Sequence, residues 1–167
     1  MRSARGQMIQ QVFIFILAGL IFVLIIGYGY RAIQYFLERQ EQVVLVDVQH
    51  DLEVAVEQVK RDYQSVRRLD VDLPSKYAGI CFFDYERCAT VERPKLSSPN
   101  GEFDVSFGKQ ACLAGSENVM IVPRAGEKID LPDIDVPSGY ICIPNEGGVH
   151  IRLEGTGRKA RVGAWQE

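Results

Sequence analysis

The sequence predicts an α+β protein, with one long N-terminal helix, membrane-spanning and then amphipathic, followed by a small antiparallel β-sheet or sandwich head. Three observations support this class. No residue from Val12 to Tyr30 is charged, and all seven prolines lie between Pro74 and Pro144. Near the C-terminus, apolar and polar residues alternate as they do in half-buried strands. Because proline is excluded from helix interiors, the proline-free first part is expected to be helical.

Residues 7–36 are predicted to form a membrane-spanning helix. About 20 helical residues cover the ~30 Å of bilayer hydrocarbon, and the stretch Gly6 to Tyr30 carries no charge. A cleaved secretory signal is the alternative, but the apolar core of such a signal is only ~7–15 residues long and ends at a small-x-small site. In this chain the apolar run is longer, and no convincing site of that type follows it. We therefore expect the helix to stay in the mature protein. Its small residues, which allow helices to approach closely, are Ala18, Gly19, Gly27 and Gly29.

Residues 37–70 are predicted to continue as an amphipathic helix. Apolar residues recur there at three- and four-residue spacing, which places them on one face. The series is Leu45, Val48, Leu52, Ala55, Val59 and Val66, closed by Leu69, and its one break is Asp62. The apolar face has two possible partners, which the sequence leaves open. It packs either on the chain's own head or on neighbouring copies in a bundle or filament.

Residues 71–167 are predicted to form the β-rich head, about ninety-five residues, which is enough for one small core. Short apolar runs at 77–83, 118–123 and 140–144 are strand candidates. Alternating residues on both sides of 155–158 predict a C-terminal hairpin whose turn contains two glycines. The segment 86–110 is hard to assign, and its proline, serine, asparagine and glycine residues at 94–101 point to a loop.

The four cysteines all lie in the head, at positions 81, 88, 112 and 142. An even number without C-x-x-C pairs favours disulfides over zinc or a redox motif, and so places the head in an oxidising exterior compartment. Three connectivities are possible. We favour Cys81–Cys142 with Cys88–Cys112, because two central strands can direct side chains into one core.

The sequence offers little for catalysis or cofactor binding. His50 and His150 lack neighbours at metal-ligand spacing. The acidic segment Asp130–Asp135 has the oxygens for calcium but not the spacing or glycine of a known calcium loop, so a solvated loop is favoured. The net charge of −3 provides no basic face for nucleic acid. We therefore expect no enzyme activity, no metal, no cofactor and no nucleic-acid partner.

The N-terminus supports a family resemblance. A short charged leader ending Arg5-Gly6-Gln7, followed directly by the hydrophobic helix, resembles the type IV pilins and is most similar to their archaeal branch with class III signal peptides. The resemblance implies that residues 1–6 are a leader, which a prepilin peptidase-like enzyme removes between Gly6 and Gln7. It also implies that mature subunits leave the lipid and stack their helices in the core of an extracellular filament, so that the main partner is other copies of the chain.

In that family many members carry glutamate as the fifth mature residue, where Gln11 stands in this chain. Gln11 can form hydrogen bonds but supplies no charge. The residues expected to mediate assembly are Gln11, Ala18, Gly19, Gly27, Gly29, Leu45, Val48, Leu52, Val59 and Val66. The alternative is a single-pass membrane protein that never polymerises and presents an exterior β-domain for adhesion or binding. Both hypotheses place the helix in the cell membrane and the head outside.

Overall fold

The structure, a computed structural model, describes the backbone of residues 4–99 and 101–165. In the first helix it describes the side chains of residues 12–35 and of those from 43 onward. The chain forms two compact units, Met1–Glu41 and Gln42–Glu167, called here the N-terminal and C-terminal units. The predicted α+β class is confirmed, since one long apolar helix precedes mainly antiparallel sheets.

The first helix, α1, runs from Ala4 to Val59 and contributes to both units. In the N-terminal unit, the 24 residues Val12–Tyr35 have a mean hydropathy of 2.8 and are not buried by the rest of the chain. At 1.5 Å per residue they extend ~36 Å, more than the hydrocarbon thickness of a bilayer. By length and composition this part of α1 can cross a membrane.

In the C-terminal unit, α1 buries one face in the unit's own core. The spacing of three and four residues aligns the buried side chains along one stripe, and they pack with strand residues such as Ile151 and Leu153. The buried residues are Leu45, Val48, Leu52, Ala55, Val56 and Val59. Of the two partners left open by the sequence, the structure therefore shows the chain's own head.

Short strands and a second helix follow α1 in the described part of the chain. The strands are β1 (Val66–Val71), β2 (Gly79–Phe83), β3 (Lys95–Ser98), β4 (Gly101–Asp104), β5 (Val119–Val122), β6 (Ile134–Asp135), β7 (Tyr140–Pro144), β8 (Val149–Gly155) and β9 (Ala160–Ala164). A single 3₁₀ turn occupies Cys88–Thr90, and helix α2 occupies Ser106–Leu113. The strand candidates of the sequence correspond to β2, β5, β7 and the β8–β9 hairpin.

The larger sheet has the strand order β1-β8-β9-β6. Along β8, Val149, Ile151 and Leu153 are fully buried while the residues between them face outward. This alternation is the period-two pattern of a sheet with one face on the core. The pairing of β6 with β9 is parallel, which departs from the purely antiparallel sheet predicted. The departure is confined to a strand of two residues.

The smaller sheet has the order β5-β2-β7 and lies between two apolar clusters. All five residues of its central strand β2 are buried. Ile80 and Phe82 belong to the cluster that contains the α1 stripe, whereas Cys81 and Phe83 belong to a second cluster with Leu96. Because successive side chains point to opposite faces, β2 joins the two clusters.

The helix predicted for residues 37–70 is too long, because α1 ends at Val59 and Val66 begins β1. The chain turns between them at Gln64, which adopts a left-handed φ of 64°. The N–H of Gln64 donates to the carbonyl of Gly155, and the N–H of Gly155 donates to the carbonyl of Ser65, so these backbone hydrogen bonds extend the β1–β8 ladder. Cross-strand bonding therefore replaces helix bonding from this point on.

The segment 86–110, whose residues 94–101 pointed to a loop, contains regular structure instead. Where the structure describes it, this segment contains the 3₁₀ turn, the β3–β4 hairpin and the start of α2. Leu96 in β3 and Val105, just before α2, are buried in the second cluster. The hairpin is stabilised by this burial, although its turn residues are those typical of loops.

Candidate functional site

The apolar part of α1 is the most exposed hydrophobic surface that the structure describes. Large side chains such as Phe15 and Tyr28 are each 74% exposed. At Gly19, Gly27 and Gly29, the positions where a Cβ would stand lie in open space, with no other atom within 4 Å. A surface of this length and hydrophobicity requires cover from lipid or from other protein.

A groove of about 370 Å³ lies on one face of this segment. Its lining comes from successive turns of the helix and includes Gly27, which has no side chain. The lining residues are Val23, Leu24, Gly27, Tyr28 and Arg31. A second helix can approach closest at such a place, since van der Waals contact with the backbone is open there.

Three of the predicted site residues lie outside the described side chains. Gly6, Gln7 and Gln11 fall within the backbone span of α1, but the structure describes no side chains there. Ala18 is described, and it is exposed like the residues around it. The cleavage site and the place of Gln11 in assembly stay predictions.

The stripe predicted to mediate assembly in the second half of α1 is mostly buried within the chain itself. Leu45, Val48, Leu52 and Val59 are each at most 5% exposed, so they have no surface left for a neighbouring copy. Val66 is 48% exposed, but it lies in β1 and not on the helix. The physical reason is that the sheet covers this face of α1 first.

Sequence reasoning missed a second apolar row on the opposite face of α1. Val43, Val46 and Val54 are 59%, 51% and 39% exposed. With His50 between them they follow the spacing 3, 4 and 4, which keeps them on one side of the helix. The same periodicity that identified the buried stripe identifies this exposed valine row once the buried face is known.

All four cysteines form disulfides, Cys81 with Cys142 and Cys88 with Cys112. This is the pairing favoured from the sequence. Cys81 and Cys142 lie directly opposite each other on β2 and β7. The second bridge joins the 3₁₀ turn to α2 and so fixes the segment that was predicted to be a loop.

The acidic segment 130–135 does not form a shared ligand set. Asp130 accepts a hydrogen bond from the Tyr85 hydroxyl at 2.7 Å, and Asp133 accepts one from Lys60 Nζ at 2.6 Å. Burial, followed by the bond to Asp130, raises the pKa of Tyr85 well above its ordinary value. Each carboxylate thus stabilises a different contact within the C-terminal unit.

Asp135 joins a denser ionic network. It accepts hydrogen bonds from Arg87 Nη1 at 2.8 Å and from Arg161 Nε at 3.1 Å. Arg87 Nη1 also reaches the carboxylate of buried Asp84 at 3.1 Å. Burial by itself raises the pKa of Asp135, but the bonds from the two guanidinium groups outweigh it, so the pKa lies below the ordinary 3.8.

Within the described part of the chain, no three His, Cys, Asp or Glu side chains come close enough together to hold a metal ion. His150 donates from Nδ1 to Asp70 at 2.6 Å, and His50 is exposed on α1. The hydrogen bond between His150 and Asp70 stabilises the surface of the larger sheet.

Comparisons with protein-family models, with curated proteins and with solved structures give no match to this chain.

Function must therefore be inferred from the surfaces just described. Three of them are candidates for binding: the apolar helix segment 12–35 of the N-terminal unit, the valine row of the C-terminal unit, and the outward face of the larger sheet.

Proposed function

We propose that this chain is the structural subunit of an extracellular type IV pilus-like filament, assembled through its hydrophobic N-terminal helix. One observation carries the proposal. A single helix combines 24 uncovered apolar residues, Val12–Tyr35, with a second part whose stripe is seated in a folded unit. The first part is suited to leave lipid and pack on other helices, while the second part packs in the core of the C-terminal unit.

Helix packing in an apolar environment depends on close van der Waals contact, because lipid is as hydrophobic as leucine. The groove at Gly27 and the open backbone at Gly19 and Gly29 offer that contact. In the C-terminal unit, the valine row at 43, 46 and 54 is a further exposed apolar surface of α1. In a filament the apolar segment 12–35 exchanges lipid for copies of the same chain, and the valine row is available to pack against them.

The C-terminal unit suits exposure outside the cell. Disulfides persist in oxidising compartments, and each typically contributes about 2–4 kcal/mol to stability. This unit has two disulfides: one joins β2 to β7 within the smaller sheet, and the other joins the neighbouring 3₁₀ turn to α2. A filament surface built from such units would resist unfolding and proteolysis.

Assembly of this kind begins with processing at Gly6-Gln7 by a prepilin peptidase-like enzyme. N-terminal sequencing of protein from its native host tests this step. We expect the mature chain to begin at Gln7 and the variant Gly6→Leu to remain uncut. A wild-type chain that still begins at Met1 or Arg2 in that host would contradict processing.

Polymerisation has its own test. Surface material sheared from cells is separated from membranes, probed by immunoblot and examined by electron microscopy. We expect the chain in filaments in the sheared fraction. If the wild-type protein stays entirely with the membrane pellet, the filament proposal fails.

One observation favours the alternative, a single-pass protein that presents its exterior unit for adhesion or binding without polymerising. Four of the residues expected to contact neighbours, Leu45, Val48, Leu52 and Val59, are buried in the chain's own core. Under this alternative lipid alone covers residues 12–35. The same fractionation distinguishes the two functions, because an anchored protein remains in the membrane pellet.

A further inference from the structure

The outward face of the larger sheet carries a groove of about 520 Å³. Its lining comes from the edge strand β1, from β8 and from the end of β9. Among the residues that the structure describes, those that line it are Val66, Arg152, Gly163, Ala164 and Trp165. Arg152 is the single charged residue among them, so the groove favours an anion.

Gly163 leaves the space that the groove occupies. It stands opposite Arg152 in the β8–β9 pairing, and a Cβ on it would meet no atom within 4 Å. Glycine weakens a strand interior and often marks a place where a ligand approaches the backbone. Any larger side chain at this position would project into the groove.

Trp165 provides a fixed aromatic wall. Its backbone N–H donates to the carbonyl of His150 at 3.0 Å, which continues the β8–β9 ladder. The Arg68 guanidinium lies 5.7 Å from the centre of the indole ring. Arg68 in turn donates from Nε to Asp70 at 2.6 Å, so the cation beside the ring is held in position.

Arg152 retains donors for a ligand. Its one hydrogen bond to another side chain in the described part of the chain goes from Nη2 to Glu154, at a long 3.4 Å, and the side chain is 49% exposed. A guanidinium carries five N–H donors in a planar fork that matches a carboxylate. The Glu154 carboxylate competes with a ligand's carboxylate for the N–H donors of Arg152.

We propose that this groove binds a carboxylate-bearing sugar, such as a uronic acid residue of an acidic polysaccharide. The pyranose ring lies against Trp165, and the carboxylate is bound by Arg152. A peptide strand is the poorer fit, because peptides add to free sheet edges through backbone bonds, and of the groove's described lining only Val66 stands on the edge strand β1. The backbones of β8 and β9 are already paired with each other beneath the groove.

The proposal goes beyond filament assembly and holds for a polymerising or a merely anchored chain. Its test uses the full-length chain in detergent micelles titrated with oligogalacturonate. Trp165 is the only tryptophan in the sequence, so intrinsic tryptophan fluorescence reports directly on the groove. We expect a saturable change with oligogalacturonate and none with the neutral oligosaccharide maltohexaose.

Four variants make the test specific, with affinities measured by calorimetry. Arg152→Gln should weaken binding by about tenfold or more, because it removes charge-assisted hydrogen bonds. Gly163→Val should abolish binding by filling the groove, although valine suits a strand. Glu154→Gln should strengthen binding about threefold by removing the competing carboxylate. The matched control Arg93→Gln removes an exposed arginine elsewhere and should leave the affinity unchanged.

Each contrary outcome overturns the proposal. Equal binding of maltohexaose would show that no carboxylate is recognised, and undiminished binding by Gly163→Val would place the site elsewhere. If poly-glutamate competes as well as oligogalacturonate and loses affinity in Arg152→Gln, the occupant is an acidic peptide. Electron microscopy of filaments is independent of all these results, so failure here is distinguishable from failure of the assembly proposal.

Discussion

Gly155, the last residue of β8, lies directly against the backbone carbonyl of Asp62, just beyond the end of α1. A Cβ on Gly155 would overlap that oxygen and the carbonyl oxygen of Val59. The N–H of Gly155 donates to Ser65 at 2.9 Å, and its carbonyl accepts from Gln64 at 2.9 Å. The end of the helix and the end of the strand therefore meet backbone to backbone, and only glycine fits.

We predict that Gly155→Ala destabilises the C-terminal unit by about 1–3 kcal/mol or more, since backbone atoms cannot yield as a side chain can. The control is Gly163→Ala, eight residues along the same hairpin, where the added methyl meets nothing. Relative to glycine, alanine in a strand is stabilising by up to about 1 kcal/mol. Denaturation followed by near-UV circular dichroism measures both, and equal stability of the two variants would contradict the close approach.

The burial of the α1 stripe gives a second prediction. Leu52 is 1% exposed, whereas Val54, two residues on, is 39% exposed. Leu52→Ala should cost about 2–5 kcal/mol of unfolding free energy through lost burial and a cavity, and Val54→Ala less than about 1 kcal/mol. If Leu52→Ala left stability unchanged and only prevented filament formation, the stripe would face neighbouring copies after all.

The sequence predicted the elements with strong periodicity and missed those decided by tertiary contacts. The stripe from Leu45 to Val59 has the helical period, and Val149 to Leu153 has the strand period, so both were correctly predicted. Val66 and Leu69 continue the helical spacing from Val59 by coincidence, although they lie in β1. Asp62, which interrupts the apolar series, was the one signal in the sequence that the helix ends before Val66. No glycine marks the turn between α1 and β1, because Gln64 adopts the left-handed conformation there.

At the candidate sites too, features that follow from the local sequence pattern could be predicted, and features that depend on tertiary contacts could not. The disulfide pairing could be favoured from the sequence because Cys81 and Cys142 each stand in the middle of an apolar run. The groove beside Trp165 could not, because it depends on which residue of β9 faces Arg152 of β8. That register is set by the hairpin as a whole, and its turn spans 156–159. Likewise, the valine row on α1 became recognisable only once the buried face was known.

The ionic network around Asp135 predicts a loss of stability in acid. Because its folded pKa lies below the ordinary 3.8, the carboxylate stabilises the fold above that value and loses its contribution as pH falls through the folded pKa. Asp135→Asn should therefore be less stable than wild type at neutral pH. The two stabilities should converge below about pH 4.

Denaturant titrations between neutral pH and strong acid measure this convergence. Asp47→Asn, an exposed carboxylate of α1, is the control and should follow the wild-type curve. A constant difference between wild type and Asp135→Asn across the whole range would show that the asparagine disturbs packing and that the ion pairs contribute nothing.

The disulfides give a prediction about covalent structure. Non-reducing peptide mapping should join Cys81 to Cys142 and Cys88 to Cys112, which are 61 and 24 residues apart in sequence. The double variant Cys88→Ala/Cys112→Ala should lose about 2–4 kcal/mol of stability, because the bridge restricts the unfolded chain. Four free thiols in protein from the native host would contradict both the pairing and the exterior location of this unit.

The last prediction concerns Gly19 in the apolar part of α1. Leucine at this position has room for its Cβ, since no atom outside the neighbouring helix backbone lies within 4 Å of it. It also favours both helix formation and membrane insertion. Gly19→Leu should therefore insert and fold normally, yet impair polymerisation, because added bulk keeps neighbouring helix backbones apart.

Immunoblots of sheared and membrane fractions, together with near-UV circular dichroism of the purified chain, separate these effects. Val12→Leu, an apolar exchange at an exposed position seven residues before Gly19, controls for added volume away from the small residues. Because a Cβ at Gly19 has open space around it, a loss of filaments with unchanged insertion and folding points to contacts between chains. Normal filaments from Gly19→Leu would show that the helices pack through another face.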